Sequence, residues 1–322
     1  MALAVTGAMG HLGFEIVRQA ASQGADVVAL YRSGYRAADA QSITGRVVWI
    51  QADLNDGDQV RALAKSRAIT SCIHCAAVSN EAQARPNPLE AIASNISATA
   101  NLLDMARVQG WQRFVLVSTG SVFQNRADTV SPILEDAQPE PGNIYSTTKL
   151  SAEMLTRMYR TEFGLPAASV RISWVFGPPV VSGSPARGPI PSYLLRACRG
   201  EDICESGAGF AASFTFVSDA AAGLLAAAMA PELRFDTYHL GHGVNFTAEQ
   251  VAESIRARFP LCRIELAAGT APWTDFTALR GPLAGPRLAQ DTGFRPAFTL
   301  DQGVGAYAEW MLAHPGLWQQ RG

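Results

Sequence analysis

Met1-Ala-Leu-Ala-Val-Thr-Gly7-Ala-Met9-Gly10-His11-Leu12-Gly13 opens the chain and runs straight into Phe14-Glu-Ile-Val-Arg-Gln-Ala-Ala-Ser-Gln-Gly24. An apolar run passes into a glycine-rich turn, and the turn opens an amphipathic segment of helical period. Gly7 permits the sharp turn, Gly10 lets the backbone approach a pyrophosphate, and Gly13 allows a helix to pack closely on the strand. An anion held there meets free N–H groups at the helix amino end, where the helix dipole favours negative charge. Three glycines also occur in ordinary strand-to-helix turns. Their place directly after a buried strand is what argues for dinucleotide binding.

The next strand, Asp26-Val-Val-Ala-Leu-Tyr31-Arg32-Ser33, ends where such sites choose between the two nicotinamide cofactors. A carboxylate there accepts hydrogen bonds from the ribose 2′-OH, whereas an arginine holds a 2′-phosphate. Tyr31 occupies the position, and Arg32 and Ser33 follow with a planar fork of donors and a hydroxyl, both suited to phosphate. NADP(H) is therefore the expected cofactor, with NAD(H) as the alternative should Arg32 stack on the adenine or face solvent. Asp53 and Leu54, after the third strand Val47-Val-Trp-Ile-Gln-Ala, are placed to meet the adenine.

Tyr145-Ser-Thr-Thr-Lys149 puts a phenol and an ammonium four residues apart, on one face of a helix. A cation beside a phenol favours the phenolate and draws its pKa toward a range useful for proton transfer. Alone, such a spacing more often marks a surface helix pair. Phe114-Val-Leu-Val-Ser118-Thr119-Gly120-Ser121 adds an apolar strand ending in hydroxyls, and in a parallel sheet those carboxyl ends line the ligand crevice. Thr119 is the candidate donor to a substrate oxygen.

Taken in order, these residues resemble an extended short-chain dehydrogenase/reductase of the NAD(P)-dependent epimerase/dehydratase family. The resemblance runs nearly end to end and also includes Ile73-His74-Cys75-Ala76-Ala77, Asn95, Arg171-Ile-Ser-Trp174-Val-Phe-Gly177-Pro178, Phe214-Thr-Phe-Val-Ser-Asp219 and Gly293-Phe-Arg-Pro296. It implies an α/β fold: a Rossmann-type doubly wound parallel sheet with a smaller C-terminal substrate-binding lobe. It also implies that Tyr145 exchanges the proton on the reacting oxygen, that Lys149 hydrogen-bonds the nicotinamide ribose, and that Asn95 supports a water leading to solvent. By the same resemblance Met9, His11, Leu12, Cys75, Ala76, Ala77 and Val117 border the cofactor, and Val78, Gly120 and Ser121 border the substrate.

Departures narrow the chemistry. Dehydratases of the family carry Asp-Glu directly after the active-site threonine, and here Gly120-Ser121 stand instead. Trp174 occupies a place where sugar-nucleotide enzymes commonly have Asn, and Ala212 a place where they have Arg; both usual groups meet a nucleotide diphosphate. Arg280, near another customary phosphate-binding arginine, keeps that class open. Trp174 reads as a wall of the substrate cleft, and Arg187 and Arg280 as possible clamps for one carboxylate or phosphate. The expected activity is hydride transfer to or from a small hydroxyl or carbonyl compound, such as a sugar, sugar acid or hydroxy ketone. The alternatives are a sugar-nucleotide epimerase and a non-catalytic cofactor sensor, and the intact Thr119, Tyr145 and Lys149 argue against the sensor.

The 322 residues carry a net charge of −2 and are 48% hydrophobic, with a mean hydropathy of +0.06. No basic excess points to a nucleic-acid partner. The first strand begins at Ala2, no leader is expected, and the apolar run Ala220 to Ala230 is too short to span a bilayer. A cytoplasmic location follows. Five cysteines without an export signal argue for reduced thiols, and the Cys72/Cys75 pair around His74, on an apparent buried strand, lacks a second ligand pair, so no metal is expected. Residues 1–178 read as the nucleotide-binding domain, with 214–243 returning to it, and 179–213 and 244–322 read as the substrate lobe. Its first helix is placed at Ser192 to Arg199. Leu102, Met105, Leu150, Met154 and Met158 interleave with polar positions as a stripe suited to a homodimer.

Overall fold

The computed structural model describes residues 2–66 and 68–319. β1 (Ala2–Thr6) turns through the glycine loop into α1 (His11–Ser22), and β2 (Asp26–Tyr31), α2 (Ala37–Ser42), β3 (Val47–Gln51), α3 (Gly57–Ser66) and β4 (Ile69–His74) continue the alternation. Short helices α4 (Glu81–Ala84) and α5 (Pro88–Ile92) lead through a π-helical turn, Ala93–Ser97, into α6 (Ala98–Gln109) and β5 (Arg113–Thr119). α7 (Ile144–Phe163) and β6 (Ala167–Ile172) follow, then β7 (Trp174–Phe176), α8 (Pro189–Cys198), β8 (Ile203–Ser206), β9 (Ala211–Ala212) and β10 (Phe214–Phe216). α9 (Val217–Met229), β11 (Thr237–Leu240), β12 (Phe246–Thr247), α10 (Ala248–Arg256), β13 (Ile264–Ala267), α11 (Arg287–Thr292) and α12 (Leu300–Ala313) complete the chain.

Seven strands form one sheet in the order β11-β6-β5-β4-β1-β2-β3, every neighbouring pair parallel. The order reverses between β1 and β4, so a crevice opens there at the strands' carboxyl ends. β1 shows how the sequence builds the layers. Leu3 and Val5 pack with Ile16, Val17, Leu224 and Leu225 of α1 and α9, while the intervening Ala4 packs with Leu102, Leu103 and Phe114 on the other face. Apolar residues on both faces are what a sheet covered by helices on each side requires. Burying one such Leu or Val stabilises the fold by about 1.5–3 kcal/mol relative to leaving it in water.

The remaining strands form three two-stranded sheets, β10 with β7, β12 with β9 and β13 with β8. With α8, α10 and α12 they enclose a second core that includes Phe176, Tyr193, Phe214, Val251, Trp273, Tyr307 and Met311. Phe214 to Leu240 thus returns to the main sheet only in part. β10 pairs with β7 in the smaller core, whereas α9 and β11 join the main layers. α8 begins at Pro189 rather than Ser192, because proline suits the first turn of a helix, where its missing N–H leaves no bond unmade. β4 ends at His74, which leaves Cys75 in the loop beyond the strand. The stripe read along α6 and α7 divides: Leu102 and Met105 are buried, whereas Met154 and Met158 are 64% and 42% exposed. Among the described residues no helix is long and apolar enough to cross a membrane.

Candidate active site

A cleft of about 540 Å³ runs along the carboxyl ends of β1, β2, β4 and β5 and is closed on its far side by the smaller lobe. Its floor is the β1–α1 turn. Gly7 adopts φ 64°, a conformation natural to glycine. A Cβ on Gly13 would lie 2.3 Å from the Gly7 carbonyl oxygen, and one on Gly10 would lie 3.0 Å from the same atom. The helix therefore starts hard against the strand, with no acidic residue in its first turn to oppose an anion. Met9, His11 and Leu12 line this end; Tyr31, Arg32, Ser33, Asp53 and Leu54 line the next stretch, and Cys75, Ala76, Ala77 and Val117 the opposite wall. This donor set fits a dinucleotide. Arg32 is already engaged, donating 2.9 Å to Glu90 and 3.5 Å to the Ser94 hydroxyl. Arg36, a cleft residue the sequence reading passed over, is paired with Asp39.

The catalytic end is set by α7. Asn143 caps the helix by accepting 2.9 Å from the Ser146 N–H, and the Ser146 hydroxyl accepts in return from the Asn143 N–H, a reciprocal capping box. Tyr145 and Lys149 then face the cleft together with Thr119, the last residue of β5. Thr119 Oγ1 accepts from the Ser121 N–H at 3.1 Å. Burial pushes the Tyr145 phenol up, and the Thr119 bond and the Arg280 charge pull it back. Lys149 itself is brought down to about 8 by burial, against the opposing pull of Glu153 and Cys75. A buried pair holds the helix behind it: Arg171 donates 2.7 Å to Glu153, and Ser118 donates 2.5 Å to the same carboxylate.

A family model described as the NAD dependent epimerase/dehydratase family matches residues 3–241. The chain belongs to that family. A dTDP-4-dehydro-6-deoxy-D-allose reductase from Streptomyces sp is 33% identical over 224 residues, 67% of this chain and 68% of the relative. Among solved structures, a UDP-glucose 4-epimerase from Thermotoga maritima with UDP-glucose superposes with a TM-score of 0.85 at 20% identity, covering 98% of this chain and 100% of that one. MoeE5 in complex with UDP-glucuronic acid and NAD superposes at 0.78 with 26% identity, covering 96% and 98%. This chain is accordingly an enzyme of the extended short-chain dehydrogenase/reductase type.

Within this family member, three residues expected at the site stand back from the cleft wall. Asn95, at 1% exposure, accepts 2.8 Å from the Val78 N–H and donates to the Val78 carbonyl and to Thr148 Oγ1, at 3.1 and 2.9 Å. It clamps the loop after β4 to the helix turn between Tyr145 and Lys149, and Val78 takes part through its backbone. Gly120 lies beneath Arg280, and a Cβ there would sit 3.1 Å from the Arg280 Nε. Ser121, Trp174, Arg187 and Arg280 do line the cleft. Trp174 stands edge-on to Phe210 at 6.0 Å, and a Cβ on Gly188 would come within 3.0 Å of its ring. Ala212 sits in the smaller core, paired with Phe246 across the β9–β12 sheet.

Several cleft residues gave no local signal in the sequence. Glu81 accepts 3.0 Å from the Tyr145 N–H, placing a carboxylate at the amino end of α7. Gln124 accepts from Asn143 at 2.5 Å and donates 2.9 Å to Thr277, so the cap of α7 is tied to the loop before Arg280. Trp273 and Phe276 close the wall from the smaller lobe. His11 lines the cleft with its Nε2 buried and unpartnered; burial, then the nearby Arg187, hold it neutral by bringing it down to about 4.

Proposed function

We propose that this enzyme is an NAD(P)-dependent dehydrogenase or reductase acting on the hydroxyl or carbonyl of a small polar compound, a sugar, sugar acid or hydroxy ketone. The observation that carries this reading is the meeting of Thr119, Tyr145 and Lys149 at one end of the cleft with no acid–base pair at 120 and 121. The nicotinamide cofactor supplies the hydride acceptor or donor. Tyr145 takes the hydroxyl proton in the oxidation direction and returns it in reduction. Thr119 Oγ1 accepts from Ser121, and with substrate in place its one hydrogen turns from the phenol to the substrate oxygen where charge develops. Lys149, buried beside the Tyr145 turn, holds the ribose hydroxyls in this reading. The glycine loop holds the pyrophosphate, and Arg32 with Ser33 favours NADP(H) over NAD(H).

Trp174 and Ala212 remove two groups that serve a diphosphate elsewhere in the family, which supports a compact substrate; Arg187 supplies a cation for its anionic group. A second reading, a sugar-nucleotide reductase or epimerase, is favoured by the named activity of the Streptomyces relative. The two separate on one assay. With the first, a panel of sugars, sugar acids and hydroxy ketones changes cofactor absorbance; with the second, only deoxythymidine or uridine diphosphosugars do, or they are inverted with no net change. The exposed face of α5 to α7 also supports a two-fold homodimer.

A further inference from the structure

We infer that Glu81 is a substrate-binding residue that sets specificity: its carboxylate accepts a hydrogen bond from a substrate hydroxyl other than the one that is oxidised, so the substrate is a polyhydroxy compound. The inference deepens the function proposed above and rests on that reading of the cleft.

Glu81 opens α4 and lines the cleft with Ser79, Asn80, Thr119, Gln124 and Tyr145. It is only 9% exposed, and among the described residues it forms no salt bridge. A glutamate placed so deeply is ordinarily paired. Its Oε2 accepts 3.0 Å from the Tyr145 N–H, in the first turn of α7, and its Oε1 receives no hydrogen bond among the described residues. Capping that one N–H calls for a single acceptor, which a neutral amide supplies equally. Asn143 does so for the neighbouring Ser146 N–H at 2.9 Å. The helix dipole favours a charge at this end but brings no donor to the second oxygen. An ionised carboxylate offers about four lone-pair sites, and the donors that can fill the rest arrive with whatever enters the cleft.

The carboxylate is also fixed in position. Asn95 holds both the N–H and the carbonyl of Val78, at 2.8 and 3.1 Å. The Gln83 side chain accepts 3.1 Å from the Ser79 N–H, and the Gln83 N–H donates 3.0 Å to Asn80 Oδ1. The loop between β4 and α4 is therefore pinned on both sides of the approach to Glu81, and an acceptor set in place beforehand loses little freedom on binding. The charges of the cleft decide which donor it takes. Lys149, Arg187 and Arg280 line the same cleft, so a substrate amine would meet three like charges. A substrate carboxylate or phosphate is drawn to the arginines and repelled by Glu81. A neutral hydroxyl suits both sets of charges, and its bond to a carboxylate is the stronger, charge-assisted kind.

The test compares paired ligands on enzyme carrying the reduced cofactor, a dead-end combination with hydroxyl compounds. Methyl glycosides of D-glucose, D-galactose and D-ribose are set beside their 2- and 3-deoxy forms, and uridine diphosphoglucose beside its deoxy forms, with affinities read by saturation-transfer NMR. In the parent, at least one hydroxyl should strengthen binding about 10- to 100-fold, the effect of a hydrogen bond to a charged group. Glu81→Gln, whose amide oxygen still caps Tyr145, should cut that ratio to about fivefold or less, while the affinity of the matching deoxy ligand and the melting temperature stay near the parent's. A Glu81 that serves only as a cap would leave the ratio unchanged in Glu81→Gln, and that result, or a parent that discriminates no pair, would overturn the inference. If Glu81→Gln does not fold, Glu81→Asp, which withdraws the carboxylate by one methylene, takes its place, and an unchanged ratio there overturns it equally. A Glu81-dependent ratio confined to the diphosphosugar pairs would uphold the inference and sink the small-substrate reading, so the two fail separately.

Discussion

At the residue scale the account turns on which side chain moves the proton and which holds the cofactor's phosphate. Tyr145→Phe should lower turnover about 100-fold or more and leave cofactor affinity near that of the parent, since only the proton-transfer group is lost; steady-state kinetics beside calorimetry checks both halves. The buried Tyr145 phenol, raised by desolvation, is protonated at neutral pH before the cofactor binds. Oxidation, which needs the phenolate, should therefore gain rate as pH rises, and reduction, which needs the phenol, should lose it. Arg32 poses the second question, because Glu90 competes for the fork that would hold a 2′-phosphate. Arg32→Ala should weaken NADP(H) by about 1.5–3 kcal/mol and leave NAD(H) almost unchanged, whereas Glu90→Gln should tighten NADP(H). Equal loss of both cofactors on Arg32→Ala would assign Arg32 to the adenine. The local part of this was readable in the chain: Tyr145 and Lys149 share a helix face by spacing alone. Arg280 was readable only as a distant cation, since its approach to Gly120 joins positions that no periodicity relates.

At the scale of elements, two devices position the centre. The β1–α1 turn was legible because each glycine has a local reason, and the structure adds the distances: a methyl on Gly13 would clash with the Gly7 carbonyl oxygen at 2.3 Å. Gly13→Ala should therefore abolish dinucleotide binding and lower the melting temperature, and a variant with unchanged affinity would contradict the close approach. α7 is held by a device that sequence reading did not find, the Glu153–Arg171 pair between the helix and β6, buried at 6% and 2% exposure. Removing one partner leaves a buried charge uncompensated, so Glu153→Ala should destabilise the fold by about 3–5 kcal/mol in urea unfolding. Asn95 illustrates the converse. Its family place suggested a water relay, but its amide is spent on Val78 and Thr148, a contact set by a π-helical turn that residue spacing cannot foretell. β10 was misplaced for a similar reason: short apolar strands carry no mark of which sheet they join.

For the whole molecule, the alternation of strands and helices made the doubly wound sheet plain, while the smaller lobe, built of strands two to four residues long, left little periodic signal. Leu89, Ile92, Val108, Met154, Met158 and Phe163 remain exposed on α5 to α7. A face of that kind is suited to a partner, and we expect a homodimer in light scattering that Met154→Glu with Met158→Glu converts to monomer; a monomeric parent at micromolar concentration would refute it. The central claim concerns substrate and reaction together, and one measurement reaches both. Cofactor absorbance should be followed in parallel for the parent enzyme and Tyr145→Phe across small sugars, sugar acids and hydroxy ketones, with uridine and deoxythymidine diphosphosugars alongside. The account predicts stoichiometric cofactor turnover with a small substrate, lost in the Tyr145→Phe protein, and weak or no response to the diphosphosugars. Turnover confined to the diphosphosugars, or their inversion by NMR with no net change in absorbance, would contradict it.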